Sequence, residues 1–203
     1  MSLPENMNES RQQDKDRIPT EKNEFFEGND RLQWFVMRDL KRWNAKLPAY
    51  ELFNDLKIEV FTPMVWKLVI RHGKRSKEQV PFIQDLLFVH GTRQAVDPVV
   101  EKHDTVQYRY VRGGYKMPMT VRETDMQRFI HAVNSTEKPQ YYTPEEITPD
   151  MVGRKVRIVG GPLDGYEGNL QKMQGARIRR LFIEIPNLLA AAIEVQPEYI
   201  LFL

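Results

Sequence analysis

Apolar residues recur along residues 32–133 in patterns that predict both strands and helices. Residues 32–37 are rich in aromatic and apolar side chains and predict a buried strand. A helix is predicted to begin near Pro48, because a proline in the first turn lacks only an N–H that would have no helical partner. The apolar face of this helix repeats at helical spacing and comprises Ala49, Leu52, Phe53 and Leu56.

Further strands and helices follow in a regular order. Strands are predicted over residues 58–62, 65–70, 80–89 and 106–111. Asp97 and Pro98 suit the N-cap and first residue of a short helix that ends near His103. Thr120 and Glu123 have capping-box spacing before a last helix. The apolar stripe of that helix comprises Met126, Phe129, Ile130 and Val133. This order predicts an α+β domain with one sheet and helices on one face.

The segments on either side of this domain differ from it in composition. Residues 1–31 are polar and predict a disordered tail, apart from Phe25 and Phe26. Residues 134–150 contain three prolines among polar residues and predict a linker. Residues 151–203 contain several short strands separated by turns, which predicts a small all-β barrel. Its strands are expected over residues 155–159, 168–173, 179–185, 192–195 and 199–202.

Composition argues against several classes of function. Hydrophobic residues make up 41% and charged residues 29%, and no run of about 18 apolar residues predicts a membrane span. The polar N-terminal segment does not have the pattern of a secretory leader, so a cytoplasmic protein is expected. A monomer is also expected. The chain has no cysteine, which excludes disulfides and thiolate chemistry. Common catalytic motifs are absent and the four histidines lack ligand spacing. We therefore expect no enzyme activity, no cofactor and no metal site.

Charge is distributed unevenly although the net charge is only +2. Residues 32–133 carry 17 basic and 11 acidic side chains, whereas residues 1–31 carry 5 and 8. Residues 134–203 carry 8 basic and 9 acidic side chains. A basic central segment suits a polyanionic neighbour such as nucleic acid, and a solvated basic surface is the alternative.

A glycine-rich turn in residues 153–170 carries the first motif. A basic alternating strand leads into this turn, and Gly161 and Gly165 are expected at positive φ. The stretch resembles the KOW motif of transcription elongation factors and some ribosomal proteins. The matching positions are Val156, Ile158, Gly161, Pro162, Leu163, Gly165, Tyr166 and Gly168. A tight hairpin in an unrelated small barrel is the alternative.

The order of the two domains resembles that of the NusG family. Trp34-Phe35-Val36 matches the first strand of the family's NGN domain, and Phe61-Thr62-Pro63 matches the end of its second strand. Residues 81–89 occupy the place of its central strand, where Gln84-Asp85 replaces the usual Pro-Gly. The resemblance implies a ferredoxin-like antiparallel sheet with helices, joined by a linker to an SH3-like KOW barrel. The chain looks most like the UpxY-type, RfaH-like antiterminator paralogues of Bacteroides.

This resemblance implies a binding function rather than bond chemistry. Such proteins join elongating RNA polymerase and suppress pausing or premature termination, here of particular operons such as those for capsular polysaccharide. An apolar patch on the NGN sheet would bind the clamp helices of the largest polymerase subunit. The matching positions are Phe61, Phe82, Ile83 and Leu86. Phe88 is interpreted as a core residue, and the alternative is that all five residues belong to the core.

Nucleic acid is the second partner that the resemblance implies, as non-template DNA or nascent RNA. Lys74, Arg75 and Lys77 lie in a predicted hairpin loop where their charges can reach phosphates. Tyr108, Arg109, Tyr110 and Arg112 have the composition of a site for single strands. A half-buried strand with solvated arginines is the alternative for this second group.

The segment over residues 185–195 takes the place of the loop through which housekeeping NusG contacts Rho or a ribosomal protein. The family's Gly-Arg and Thr-Pro steps are missing, which argues against either contact. Leu188 and Leu189 are still expected to offer an apolar contact to a partner. Residues 188–193 also have good helix propensity, so a helical form is an alternative to a strand. A housekeeping NusG and a ribosome-associated KOW protein remain alternative functions.

Overall fold

The computed structural model describes residues 31–41, 46–71, 73–172 and 178–203, without the side chain of Arg71. Residues 1–30 of the tail predicted over residues 1–31, including Phe25 and Phe26, lie outside the described residues, as does His72.

The first sheet is antiparallel and is built around its longest strand. This strand, β1 (Gln33–Asp39), pairs on one side with β5 (Leu87–Gly91), which in turn pairs with β2 (Glu59–Phe61). The other side of β1 pairs with β6 (Val106–Tyr108) and then with β7 (Thr120–Val121). The chain between β6 and β7 leaves this edge as a short arm, closed by the bridge between Tyr110 and Pro118.

Helices cover both faces of this sheet, whereas the sequence predicted helices on one face. Helices α1 (Ala49–Asp55) and α2 (Arg93–Lys102) pack against Phe35 and Met37 of β1. Helix α3 (Glu123–Asn134) packs against Trp34 and Val36, which point to the opposite face. Successive side chains of a strand alternate between faces, so a strand covered on both sides is buried throughout.

The apolar segment over residues 80–89 forms two strands, and the prediction of one strand is wrong. Strand β4 (Lys74–Pro81) ends at its proline and β5 begins at Leu87. The intervening residues turn, with the Leu86 amide donating to the Ile83 carbonyl oxygen at 3.2 Å. Asp85, at the apex of the turn, is held by Arg38 and Arg109.

Two predicted helix caps are also wrong. Helix α2 begins after Thr92, whose hydroxyl accepts from the Ala95 amide, and Pro98 lies inside the helix. Asp97 instead bonds to side chains, accepting from the Arg93 guanidinium and from the Tyr108 hydroxyl. Helix α3 begins after Arg122, while Thr120 belongs to β7.

The apolar faces of the helices follow the predictions more closely. Ala49, Leu52 and Phe53 are buried on α1, but Leu56 lies beyond the helix end and is 49% exposed. On α3 the predicted stripe faces the core. Its buried members are Met126, Phe129 and Val133, with Ile130 packed beside them.

A separate two-stranded hairpin projects from this sheet. Strand β3 (Met64–Arg71) pairs along its whole length with β4, and Gly73 at the turn has φ of 75°. Within the described ranges this hairpin is a sheet of its own.

The C-terminal part forms a six-stranded antiparallel sheet in the order β13-β9-β10-β11-β12-β8. Its strands are β8 (Gln140–Tyr142), β9 (Val152–Ile158), β10 (Glu167–Gln171), β11 (Arg179–Ile185), β12 (Leu189–Val195) and β13 (Ile200–Phe202). Strand β8 lies inside the predicted linker, so that segment contributes to the sheet. Residues 189–193 belong to β12, and the helical alternative is wrong for this structure.

The glycine-rich turn joins β9 to β10 as predicted. Gly161 and Gly165 have φ of 70° and 78°, and the Gly165 amide donates to the Ile158 carbonyl oxygen. The ring of Tyr199 lies on Gly161, where an added Cβ would approach a ring carbon to 2.8 Å. The turn therefore needs glycine both for its backbone angle and for this close approach.

Candidate functional site

The four residues predicted to form an apolar patch lie together at one end of the first sheet. Phe61 ends β2, and its ring centroid lies 6.2 Å from that of Phe88 and 6.0 Å from that of Phe129. Phe82 and Ile83 begin the turn between β4 and β5, and both are half-buried. We call Phe61, Phe82, Ile83 and Leu86 the apolar patch.

Burial differs sharply within the apolar patch. Leu86 is only 2% exposed and belongs to the main core cluster, as does Phe88. The prediction that Leu86 lies on an open surface is therefore wrong, because in this structure Leu86 lies in the interior. Phe61, Phe82 and Ile83 pack against the same cluster but keep part of their surface in solvent.

The C-terminal sheet covers the apolar patch through Tyr141. The Tyr141 ring lies 5.5 Å from the ring of Phe82 and 6.4 Å from that of Phe129. Tyr141 is on β8, which pairs with β12, so this contact joins the two sheets. Burial raises the pKa of the Tyr141 hydroxyl to about 12, because the charged phenolate would lose its hydration.

A second contact between the two sheets surrounds Tyr166. Its hydroxyl donates to the Arg128 carbonyl oxygen at 3.1 Å, and His131 Nδ1 lies 2.9 Å from the same hydroxyl oxygen. The Arg128 guanidinium stacks on the Tyr166 ring at 4.8 Å and donates to the Glu167 carbonyl oxygen. Both Arg128 and His131 lie on α3, so this helix is held between the two sheets.

The basic group predicted in a hairpin loop lies instead on a paired strand of the β3–β4 hairpin, so the loop prediction is wrong. Lys74, Arg75 and Lys77 are all exposed on β4. The Lys77 ammonium lies 5.2 Å from the centre of the Trp66 ring. Sequence reasoning missed Trp66, because the run MVWKLVI has the composition of a buried strand.

The second predicted basic group is divided by the structure. Tyr108 is buried and its hydroxyl donates to Asp97 at 2.8 Å; burial, reinforced by this bond, raises its pKa. Arg109 donates to Asp85 at 3.2 Å, so it is engaged within the fold. Tyr110 and Arg112 are exposed on the arm between β6 and β7.

The same arm presents two residues that the sequence prediction did not include. Tyr115 is 90% exposed, and the Lys116 ammonium lies 5.7 Å from its ring centre. Lys116 has φ of 47°, a conformation that side chains with a Cβ rarely adopt. The neighbouring Gly113-Gly114 pair was the available signal, since it marks a protruding turn.

The predicted apolar contact at Leu188 and Leu189 is only partly presented to solvent. Leu189 is 1% exposed because β12 turns it into the core, opposite Ile185. Leu188 is half-buried and packs against the same cluster. The expectation of an exposed apolar contact is therefore wrong for Leu189 in this structure.

No three His, Cys, Asp or Glu side chains in the described ranges are arranged to hold a metal ion. None of the described helices is long and apolar enough to cross a membrane.

Comparison with known proteins gives one family match. Residues 32–130 match the model of the NusG family, described as transcription termination factor nusG. None of the curated proteins matches the chain. A solved structure of Thermotoga maritima NusG aligns with a TM-score of 0.43 and 15% identity, over 85% of this chain and 98% of that one. The segment matched by the family model contains the whole first sheet and the apolar patch.

Proposed function

We propose that the NusG-family domain at residues 32–130 makes this chain a transcription elongation factor that binds elongating RNA polymerase. The observation that carries this proposal is the family match over the entire first sheet. The proposed contact is formed by the partly exposed members of the apolar patch, Phe61, Phe82 and Ile83, against the clamp helices of the largest polymerase subunit. Aromatic side chains gathered in a partly buried cluster are typical of the centre of a protein interface.

The proposed effect on transcription follows from differential affinity. A factor that binds the closed, processive form of polymerase more tightly than the paused form shifts the population toward the closed form. Suppressed pausing or premature termination is the expected result, and we propose that it acts on particular operons rather than on all genes. The buried Leu189 supports this specialised role, because the turn before β12 offers little apolar surface for Rho or a ribosomal protein.

We propose that the C-terminal sheet is a KOW barrel that restricts access to the apolar patch. Its glycine-rich turn, with three glycines at positive φ, supports the assignment. Tyr141 covers Phe82 in this structure, so polymerase and the C-terminal sheet compete for the same surface. Apparent affinity for polymerase then depends on the fraction of molecules in which the two sheets have separated.

Nucleic acid near the polymerase surface is the second proposed partner. Lys74, Arg75 and Lys77 on the β3–β4 hairpin and Arg112 on the arm are exposed and positioned to reach phosphates. Arg109 is left out of this surface because Asp85 holds it.

The test is a pull-down of the host's RNA polymerase with the full chain and with two matched variants. Phe82→Asp places a charge in the apolar patch and should abolish retention. Phe202→Asp changes an exposed phenylalanine on β13 and should retain polymerase. If both variants lose polymerase, or if neither does, the apolar patch is not the contact.

The same pull-down decides between this function and an RNA-binding KOW protein. If the wild-type chain captures ribosomes or ribosomal RNA and no polymerase, the elongation-factor proposal fails. Comparison with a separate housekeeping NusG from the same genome, assayed on the same templates, would test whether the role is specialised.

A further inference from the structure

The β3–β4 hairpin exposes an unusual row of apolar side chains. Trp66, Leu68 and Ile70 are 52%, 67% and 65% exposed, and all three lie on one face because strand side chains alternate. Single exposed apolar residues are common, but a continuous row of three on a projecting ribbon marks a contact surface.

Cations lie on the same face as this row. Leu68 is paired across the hairpin with Lys77, and Ile70 with Arg75, so each aliphatic side chain has a cation beside it. The Lys77 ammonium also lies over the Trp66 ring, at 5.2 Å from its centre. We call Trp66, Leu68, Ile70, Arg75 and Lys77 the Trp66 face.

Charge selects among the partners that this face could take. Residues 64–81 contain five Lys or Arg residues and one acidic residue, Glu78, which lies on the opposite face beside Lys67. Two hairpins of this charge repel each other, so a second copy of the chain is disfavoured. A strongly anionic partner with flat apolar groups satisfies both the cations and the ring.

We propose that the Trp66 face binds single-stranded nucleic acid, with a base stacked on Trp66 and phosphates paired with Arg75 and Lys77. Stacking requires a base with a free face, which single strands offer and duplexes do not. Leu68 and Ile70 supply apolar contact for sugars along the strand. The inference rests on the nucleic-acid surface proposed above and assigns its stacking group and ligand class.

The experiment measures binding of the full-length protein to labelled oligothymidylate and oligouridylate of about ten nucleotides by fluorescence anisotropy. Trp66→Leu should weaken binding by about tenfold or more, and Trp66→Phe should restore most of the affinity. Lys77→Gln should reduce the slope of log affinity against log salt by about 0.7. Lys102→Gln, which removes an exposed cation from α2, is the matched control and should bind with nearly wild-type affinity.

Tryptophan emission provides an independent readout of stacking. Emission of the wild-type protein should be quenched by each oligonucleotide that it binds, whereas Trp66→Phe should bind without that quenching. Trp34, which is buried in the core, and Trp43 remain in every variant, so the emission of Trp66→Phe gives the background signal to subtract. Thermal unfolding by circular dichroism checks that each variant is folded.

Binding of one oligonucleotide or of both supports the proposal and identifies DNA, RNA or either as the ligand. Unchanged affinity in folded Trp66→Leu would overturn it, as would equal or tighter binding to a duplex of the same length. Trp66-dependent binding to phosphatidylglycerol vesicles, with no binding to either oligonucleotide, would assign the face to membranes and overturn the proposal. None of these outcomes requires polymerase, so failure of the elongation-factor proposal is read separately in the pull-down.

Discussion

Replacing Tyr141 by alanine should release the apolar patch from the C-terminal sheet and strengthen polymerase binding. The Tyr141 ring contacts Phe82 and Phe129 across the junction, with ring centroids 5.5 Å and 6.4 Å apart. Each aromatic pair contributes about 0.5–1.5 kcal/mol, so loss of both should weaken docking by about 1–3 kcal/mol. Such a change shifts the ratio of docked to separated molecules by about 5- to 150-fold.

Tyr142→Ala is the matched control for this variant. Tyr142 is the next residue of β8 but packs in the C-terminal sheet, with its ring 5.7 Å from that of Phe182. Its removal should destabilise that sheet without taking an aromatic contact from the apolar patch. The two variants therefore separate loss of docking from loss of stability.

Two assays measure the expected difference. Titration of RNA polymerase should give a lower apparent Kd for Tyr141→Ala than for the wild type, by up to about 150-fold. Cleavage after Glu137 by a Glu-specific endoprotease, in the segment that connects α3 to β8, should also become faster. If Tyr141→Ala is cleaved faster yet binds polymerase no better than wild type, the idea of competition for the apolar patch is wrong.

Three further predictions concern stability and pH. Leu86→Asp buries an unpaired charge and should lower the midpoint of thermal unfolding by far more than Phe82→Asp, because Phe82 is only half-buried. Equal decreases in the two midpoints would contradict the burial of Leu86. Gly161→Ala should lower the free energy of unfolding by about 1–2 kcal/mol because of its backbone conformation, and by more because the added Cβ meets Tyr199. Gly165→Ala meets open space and should show only the backbone cost. The midpoints of urea unfolding measure the difference. Burial raises the pKa of Tyr141 to about 12 from an ordinary value of 10. The contribution of Tyr141 to docking is therefore complete below pH 10 and is lost as pH rises through 12. In an absorbance titration, Tyr141→Phe should lack this part of the alkaline transition.

Local sequence patterns predicted most of the elements of the fold. The strand at Trp34-Phe35-Val36, the stripe of α3 and the glycine-rich turn at Gly161 and Gly165 were all confirmed. These features depend on the backbone preferences and the spacing of neighbouring residues, which the sequence displays directly. The caps of α2 and α3 were missed, because Asp97 and Thr120 have cap-like chemistry but other partners in the fold.

The resemblance to a family predicted that the residues of the apolar patch lie together, but it did not predict which of them are exposed. Leu86 and Leu189 have the same side chain as the exposed Leu68, yet the first two are buried. Which of them reaches solvent depends on the tertiary surroundings: Leu86 and Leu189 belong to the main core cluster, whereas Leu68 lies on a hairpin that forms a separate sheet.

The sequence by itself determined the position of β1, the period of the helices, the basic character of the central segment and the glycine turn. Tertiary structure decided that α3 lies opposite α1 and α2, that β8 covers Phe82, and that β3 projects with Trp66 in solvent. The physical reason is that periodicity records which face of a segment is apolar, while burial depends on long-range pairing. A strand with apolar residues on both faces is buried when helices cover both sides, as in β1, and exposed when it stands in a hairpin alone, as in β3.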